Sequence, residues 1–188
     1  MNYANPDGLV SSAWLAVHLH SPDICVVDGT NQLPGTELDP RQEYDRQHIP
    51  DAVFFDIGEI ADTSSPYPNM LPSPEKFASR VSELGLGDGN HIIVYDAAGL
   101  VSAARVWWMF RYFGHKDVAV LDGGLPKWIS DGHPVDDRPV NPSKRHFTPR
   151  VHNSRVRNVD QILSNIENGY EQVIDTRCAA RYSGELPE

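Results

Sequence analysis

The stretch that decides the fold is residues 91–114, which read HIIVYDAAGLVSAARVWWMFRYFG. Residues 92–94 form a short apolar, β-branched run, typical of a strand buried on both faces of a parallel sheet. From residue 103 to 113 the pattern predicts a helix, with Ser102 as its N-cap and Gly114 at the left-handed position that ends it. The apolar side chains at helical spacing are Val106, Met109, Phe110 and Phe113.

The loop between this strand and helix is a candidate anion-binding or nucleophile-activating site, because its amides are expected to point inward beside a helix N-terminus. Its residues are Asp96, Ala97, Ala98, Gly99, Leu100, Val101 and Ser102. Two roles are open for Asp96, which begins the loop. We favour a structural carboxylate that ties the loop amides to the helix start over one that acts as nucleophile or base.

Composition narrows the class of protein. The chain has 188 residues and a net charge of −10, without the basic stripe that nucleic-acid binding needs. It has neither an apolar run of about 20 residues nor a basic region followed by an apolar one at its start. We therefore expect a cytoplasmic protein that binds neither nucleic acid nor membrane. Cys25 and Cys178 make no disulfide framework, and no metal-ligand pattern or cofactor motif is present.

Short strands and helices alternate along the first 137 residues. This order predicts an α/β domain whose central sheet is mainly parallel and is flanked by helices. The first predicted helix is capped by Ser11 or Ser12 and runs through residue 19, and the others are residues 40–47, 74–84 and 103–113 and one that contains Trp128. The predicted strands are residues 24–27, 52–55, 92–94 and 118–121.

After residue 137 the composition changes and an earlier pattern returns. Residues 138–155 are rich in proline and basic residues, as inter-domain linkers are, so we place the linker there. A shift of 147 then sets the capped helix and following strand of residues 9–28 on residues 156–175 without a gap. Residues 156–188 are therefore predicted to begin a second copy of the domain, with a strand at residues 173–174. An incomplete second domain would expose apolar surface and could favour self-association.

With these residues in hand, the sequence resembles the tandem-rhodanese sulfurtransferases, most closely the 3-mercaptopyruvate sulfurtransferase branch. The segments that carry the resemblance are HIPDAVFFD (48–56), MLPSP (70–74), VYD (94–96), ARVWWMFR (104–111), LDGG (121–124), VIDTR (173–177) and RYSG (181–184). The resemblance implies a rhodanese-like fold, with a non-catalytic first domain that carries Asp where the second domain carries a nucleophilic cysteine.

The family's reaction moves a sulfane sulfur from mercaptopyruvate or thiosulfate onto that cysteine and then to cyanide or a thiol. Adding 147 to position 96 places the cysteine at about residue 243, so residues 1–188 hold no catalytic residue and are expected to be inactive. Arg181 matches one of the family's substrate-anion binders. The small-molecule donor and acceptor are the implied partners, and no cofactor is implied.

Two other function classes remain to be weighed. A rhodanese-like module that has lost catalysis and binds or regulates a partner is the alternative hypothesis. A cysteine phosphatase of related fold is disfavoured, since the loop has no cysteine and ends in Ser102 instead of arginine.

Overall fold

The computed structural model describes residues 7–32 and 39–186. It divides into two compact units, Met1–His152 and Asn153–Glu188. Within the described ranges, no helix is long and apolar enough to cross a membrane.

The first unit alternates strands and helices. Its strands are β1 (Leu9–Val10), β2 (Ile24–Asp28), β3 (Val53–Phe54), β4 (His91–Tyr95) and β5 (Val118–Leu121). Its helices are α1 (Ser12–His18), α2 (Pro40–Arg46), α3 (Ile57–Ile60), α4 (Pro74–Glu83), α5 (Ala103–Tyr112) and α6 (Gly124–Ser130). The two-residue strand β1 and the four-residue helix α3 were not predicted from the sequence; the remaining elements of this unit agree with the predicted ones to within a few residues.

All five strands form one parallel sheet in the order β1-β5-β4-β2-β3. The three central strands are in register, so that Val94 lies between Val27 on β2 and Val120 on β5. Because the strands are parallel, all their carboxyl ends meet at one edge. The residue that follows each central strand is therefore brought to the same edge.

The sheet is buried on both faces. Ile92 and Val94 point into one core, with α4 and α5, whereas Ile93 and Tyr95 point into the other, with α1 and α6. All four side chains are fully buried. The apolar run without polar alternation is explained by this two-sided burial.

Residues 138–152 belong to the first unit, although the sequence suggested a linker from 138 to 155 and a domain boundary near residue 137. Phe147 is only 4% exposed and packs in the core against Phe77 and Phe110. Backbone bonds also hold the segment, because the amides of Arg150 and His152 donate to the carbonyls of Phe113 and Tyr112. One buried aromatic side chain anchors a segment whose composition otherwise resembles a linker.

The second unit contains a short 3-10 helix (Asn153–Arg155), α7 (Val159–Asn168) and α8 (Ala179–Tyr182). The predicted strand at residues 173–174 is wrong: the structure has no strand there. A strand needs a neighbour to pair with, and no described residue of this unit is in a strand. The apolar side chains of Ile166, Val173 and Ile174 are 66–75% exposed.

The predicted repeat has counterparts in local hydrogen bonding. Ser11 caps α1 by accepting from the amide of Trp14, and Asn158 caps α7 by accepting from the amide of Gln161. The Asp28 carboxylate accepts from the amide two residues later, and so does that of Asp175. Each pair is separated by the predicted 147 residues. These bonds support the repeat, which stays a prediction.

We predict that residues 153–188, excised from the chain, do not fold cooperatively. They number fewer than the roughly 40 residues below which domains need disulfides, metals or oligomerisation, and their apolar face lies open. Amide hydrogen exchange of this peptide is expected to show little protection. A cooperative unfolding transition in urea with strong protection would contradict the prediction.

Candidate functional site

The candidate site lies at the carboxyl edge of the sheet, immediately after β4. Asp96 follows the last residue of that strand and is fully buried. Asp28 ends the adjacent strand, β2, and is 2% exposed. The strand order therefore brings two carboxyl groups to the sheet edge where ligands bind in open α/β folds.

The Asp96 carboxylate accepts hydrogen bonds from five backbone amides of the loop and helix start. Its Oδ1 accepts from Ala98 (3.0 Å), Gly99 (2.7 Å) and Leu100 (3.0 Å), and its Oδ2 from Val101 (2.7 Å) and Ala103 (2.8 Å). A carboxylate surrounded by amide donors at a helix N-terminus is strongly stabilised. The side chain therefore fills the amide-lined pocket that an external anion or a thiolate would otherwise enter.

Two further groups of the loop are also engaged internally. The amide of Ala97 donates to the hydroxyl of Thr30 at 2.9 Å, and the hydroxyl of Ser102 accepts from the amide of Asn31 at 3.1 Å. Ser102 stands at the N-cap position, as predicted, but its side chain does not cap the helix. Its backbone has φ −94° and ψ −22°, outside the extended region typical of a capping residue. Asp96 binds the first helical amide instead.

Gly124 lets the loop pack closely against the start of α6. The amide of Leu125 donates to the carbonyl of Asp96 at 3.0 Å. A Cβ on Gly124 would lie 2.5 Å from that carbonyl oxygen and 3.0 Å from the Cα of Gly99. The backbone of Gly124 also has φ +54°, in the left-handed region that favours glycine. The second glycine of the Asp-Gly-Gly sequence after β5 is thus required by the close approach of the Asp96 loop.

Behind the loop lies a buried polar network that sequence reasoning missed. The Asp28 carboxylate accepts from the amide of Thr30 at 2.8 Å, and the hydroxyls of Thr30 and Tyr95 face it. Tyr95 accepts in turn from the amide of Ile49 at 3.2 Å. Burial raises the pKa of Asp28 despite these hydrogen bonds, and the charge of Asp96 raises it further. The only sequence signal was an aspartate ending an apolar strand.

The outer side of the loop presents apolar side chains. Leu100 is 44% and Val101 53% exposed. Leu100 has φ +127°, a conformation that is strained for a leucine. The strain is offset by the amide hydrogen bond that Leu100 donates to Asp96.

Neither cysteine lies in the loop. Cys25 is in β2, half-buried, and burial raises the pKa of its thiol, which disfavours the thiolate. Cys178 is exposed at the N-cap position of α8 in the second unit. Both positions fit the expectation that these cysteines are not the nucleophile.

Arg181, the predicted substrate binder, is in the last turn of α8 and is half-buried. Within the described part of the second unit its guanidinium forms no ion pair. Its binding role stays a prediction, since Arg181 and the Asp96 loop belong to different units.

The two tryptophans of α5 serve packing in the first unit. The indole of Trp107 donates to the carbonyl of Val118 at 2.9 Å, and Trp108 stacks on Tyr112. Arg105 lies over the Trp108 ring and donates to the carbonyl of Asn69 at 2.7 Å, which ties α5 to the loop before α4. No group of three or more potential metal ligands occurs among the residues that the structure describes.

The fold and this loop place the chain in a known class. The family model described as Rhodanese-like domain matches residues 11–131, so the chain belongs to the rhodanese family.

Its relatives include sulfurtransferases of two kinds. Thiosulfate sulfurtransferase of Cricetulus griseus is 43% identical over 186 residues, covering 96% of this chain and 62% of the relative. Human 3-mercaptopyruvate sulfurtransferase is 39% identical over 186 residues, covering 96% of this chain and 63% of the relative. The crystal structure of SseA, a 3-mercaptopyruvate sulfotransferase from Escherichia coli, aligns with a TM-score of 0.90 at 40% identity, covering 95% of this chain and 68% of that one. The chain thus spans less than two thirds of the length of these two curated relatives.

We predict that Asp96→Ala destabilises the first unit by at least about 3 kcal/mol, because it leaves several amides without their charged acceptor. The matched control is Asp56→Ala, which removes an exposed cap that accepts one amide hydrogen bond, from Glu59, and should cost about 1 kcal/mol. Urea unfolding of both variants measures the difference. Equal costs would contradict the proposed structural role of Asp96.

We predict that Asp28 makes stability fall as the pH rises above about 4. The pKa of Asp28 is raised on folding, so the unfolded chain releases this proton at a lower pH than the folded chain does. The free energy of unfolding therefore decreases as the pH rises from the unfolded pKa through the folded pKa. Asp28→Asn keeps the shape and cannot ionise. The stability of the variant relative to the parent should therefore increase between pH 4 and 7 in urea titrations. A pH-independent difference would refute this reading of the site.

Proposed function

We propose that this chain supplies the first domain and the start of the second domain of a sulfurtransferase. The enzyme would move sulfane sulfur from thiosulfate or 3-mercaptopyruvate to cyanide or a thiol through a cysteine persulfide. The observation that carries the proposal is the 43% identity to a thiosulfate sulfurtransferase along 96% of the chain. Identities of 43% and 39% to the two kinds of relative do not separate the two donors.

The chemistry needs a thiolate held among amide donors. With thiosulfate, the thiolate attacks the outer sulfur, a persulfide forms, and the S–S bond breaks to release sulfite. Cyanide then removes the outer sulfur as thiocyanate and regenerates the thiolate. Arg181 would bind the anionic donor, since a planar guanidinium matches an oxyanion.

In residues 1–188 the matching pocket is filled by Asp96, which cannot form a persulfide. Its charge would also repel an anionic donor from the amides. We therefore propose that the first domain has a structural role and that the reaction takes place at a cysteine of the second domain.

A second candidate function is that of a rhodanese-like binding module without catalysis. The exposed apolar side chains of Leu100 and Val101 beside a filled pocket favour it. The two hypotheses differ in whether the reading frame continues beyond codon 188 into a cysteine-bearing loop, which sequencing of the gene decides.

We predict that the 188-residue chain forms no thiocyanate from thiosulfate and cyanide, and no pyruvate from 3-mercaptopyruvate, above a no-protein control. Thiocyanate formation that is abolished by Cys178→Ser would contradict the proposal. Asp96→Cys is expected to remain inefficient, since residues 97–102 carry no cationic side chain to bind the donor. A rate near that of an intact relative would show that the loop alone suffices.

A further inference from the structure

A cavity of about 620 Å³ lies beside the amino ends of β4 and β5, away from the Asp96 loop. His91, the first residue of β4, lines it, whereas Asp96 follows the last residue of that strand. Five residues of strand separate the two positions by about 16 Å. The cavity is therefore separate from the candidate active-site loop, and the proposed sulfur transfer makes no use of it.

Four charged residues line this cavity, two of each sign: Arg111, Lys116, Asp7 and Asp117. None of the four forms an ion pair within the described ranges 7–32 and 39–186. Opposite charges that share a cavity without pairing remain available to a ligand that carries both a cation and an anion.

Contacts within the protein hold the guanidinium of Arg111 in position at the cavity wall. Arg111 donates from Nη1 to the carbonyl of Lys116 at 3.0 Å, and its Cζ lies 5.6 Å from the centre of the Trp107 ring. These contacts hold the guanidinium beside the turn that carries Lys116 and Asp117, and leave its remaining N–H groups for a carboxylate.

Apart from Ser11, the rest of the wall is apolar and aromatic. Leu9, Val10 and Ala119 line it together with Trp14, whose ring lies 5.6 Å from that of His91. Trp14 is also stacked on His18 with ring centres 4.2 Å apart, which fixes the indole in place. An apolar wall with a few converging charged groups is the usual composition of a small-molecule site.

We propose that this cavity binds a zwitterionic α-amino acid with an apolar side chain. The carboxylate would lie at Arg111 and Lys116, the ammonium at Asp7 and Asp117, and the side chain against Trp14. Two cationic and two anionic groups balance, so a ligand with one charge of each sign is matched better than a simple anion or a simple amine.

Isothermal titration calorimetry of the 188-residue chain at low ionic strength tests the proposal with three probes. L-Leucine carries both charges, 4-methylpentanoate lacks the ammonium group and 3-methylbutylamine lacks the carboxylate. We expect saturable binding of leucine, and at least about tenfold weaker binding of each analogue. Absence of saturable leucine binding would overturn the proposal, and so would equal affinity for 4-methylpentanoate, which would indicate a simple anion site.

Variants locate the site. Lys116→Gln and Asp117→Asn should each weaken leucine binding about five- to tenfold, because each removes one charge from an exposed side chain that lines the cavity. Lys144→Gln is the matched control, since Lys144 pairs with Glu83 outside the cavity, and it should leave the affinity unchanged. Leucine binding that is unaffected by both cavity variants would place the ligand elsewhere and refute the assignment.

Discussion

The hydrogen bonds from five backbone amides to the Asp96 carboxylate are the interaction on which the carboxyl edge of the first unit depends. They join the end of the central strand β4 to the start of α5, and they fix a loop that includes a leucine with positive φ. Since hydrogen bonds to a charged group are stronger than those between neutral groups, one side chain can hold the whole loop. The same bonds explain why the loop has no place for a second anion.

Three neighbouring features of the fold surround this loop: the buried strand β4, Gly124 at the start of α6, and the carboxyl group of Asp28. Asp96 follows β4, which is buried on both faces, and is itself fully buried at the sheet edge. Gly124 permits the start of α6 to contact the Asp96 carbonyl. The neighbouring carboxyl group of Asp28 lies in the same low-dielectric region, where burial raises its pKa. In the first unit of this rhodanese-family chain, the loop therefore connects β4 to α5 through the Asp96 carboxylate.

Local patterns predicted the elements that decide the fold, because β4 is a short continuous apolar run, α5 has clear apolar periodicity, and their neighbours have clear turn residues. The sequence also favoured a structural role for Asp96, in which its carboxylate binds the loop amides. The number of amides was not predictable, since it depends on the positive φ of Leu100, which no pattern encodes. Composition suggested a linker after residue 137 because it could not show that Phe147 enters a distant aromatic cluster. The predicted strand at residues 173–174 is wrong because a strand requires a neighbouring strand to pair with, which the local sequence cannot reveal.

Amide hydrogen exchange, followed residue by residue with NMR, tests the central claim most directly. If the Asp96 carboxylate holds the loop, the amides of Gly99, Leu100, Val101 and Ala103 exchange as slowly as those of β4, although parts of the loop are exposed. If they exchange as fast as the amides of the surface loop at residues 62–70, the carboxylate does not hold the loop, and the account of this site as a filled, structural pocket is wrong.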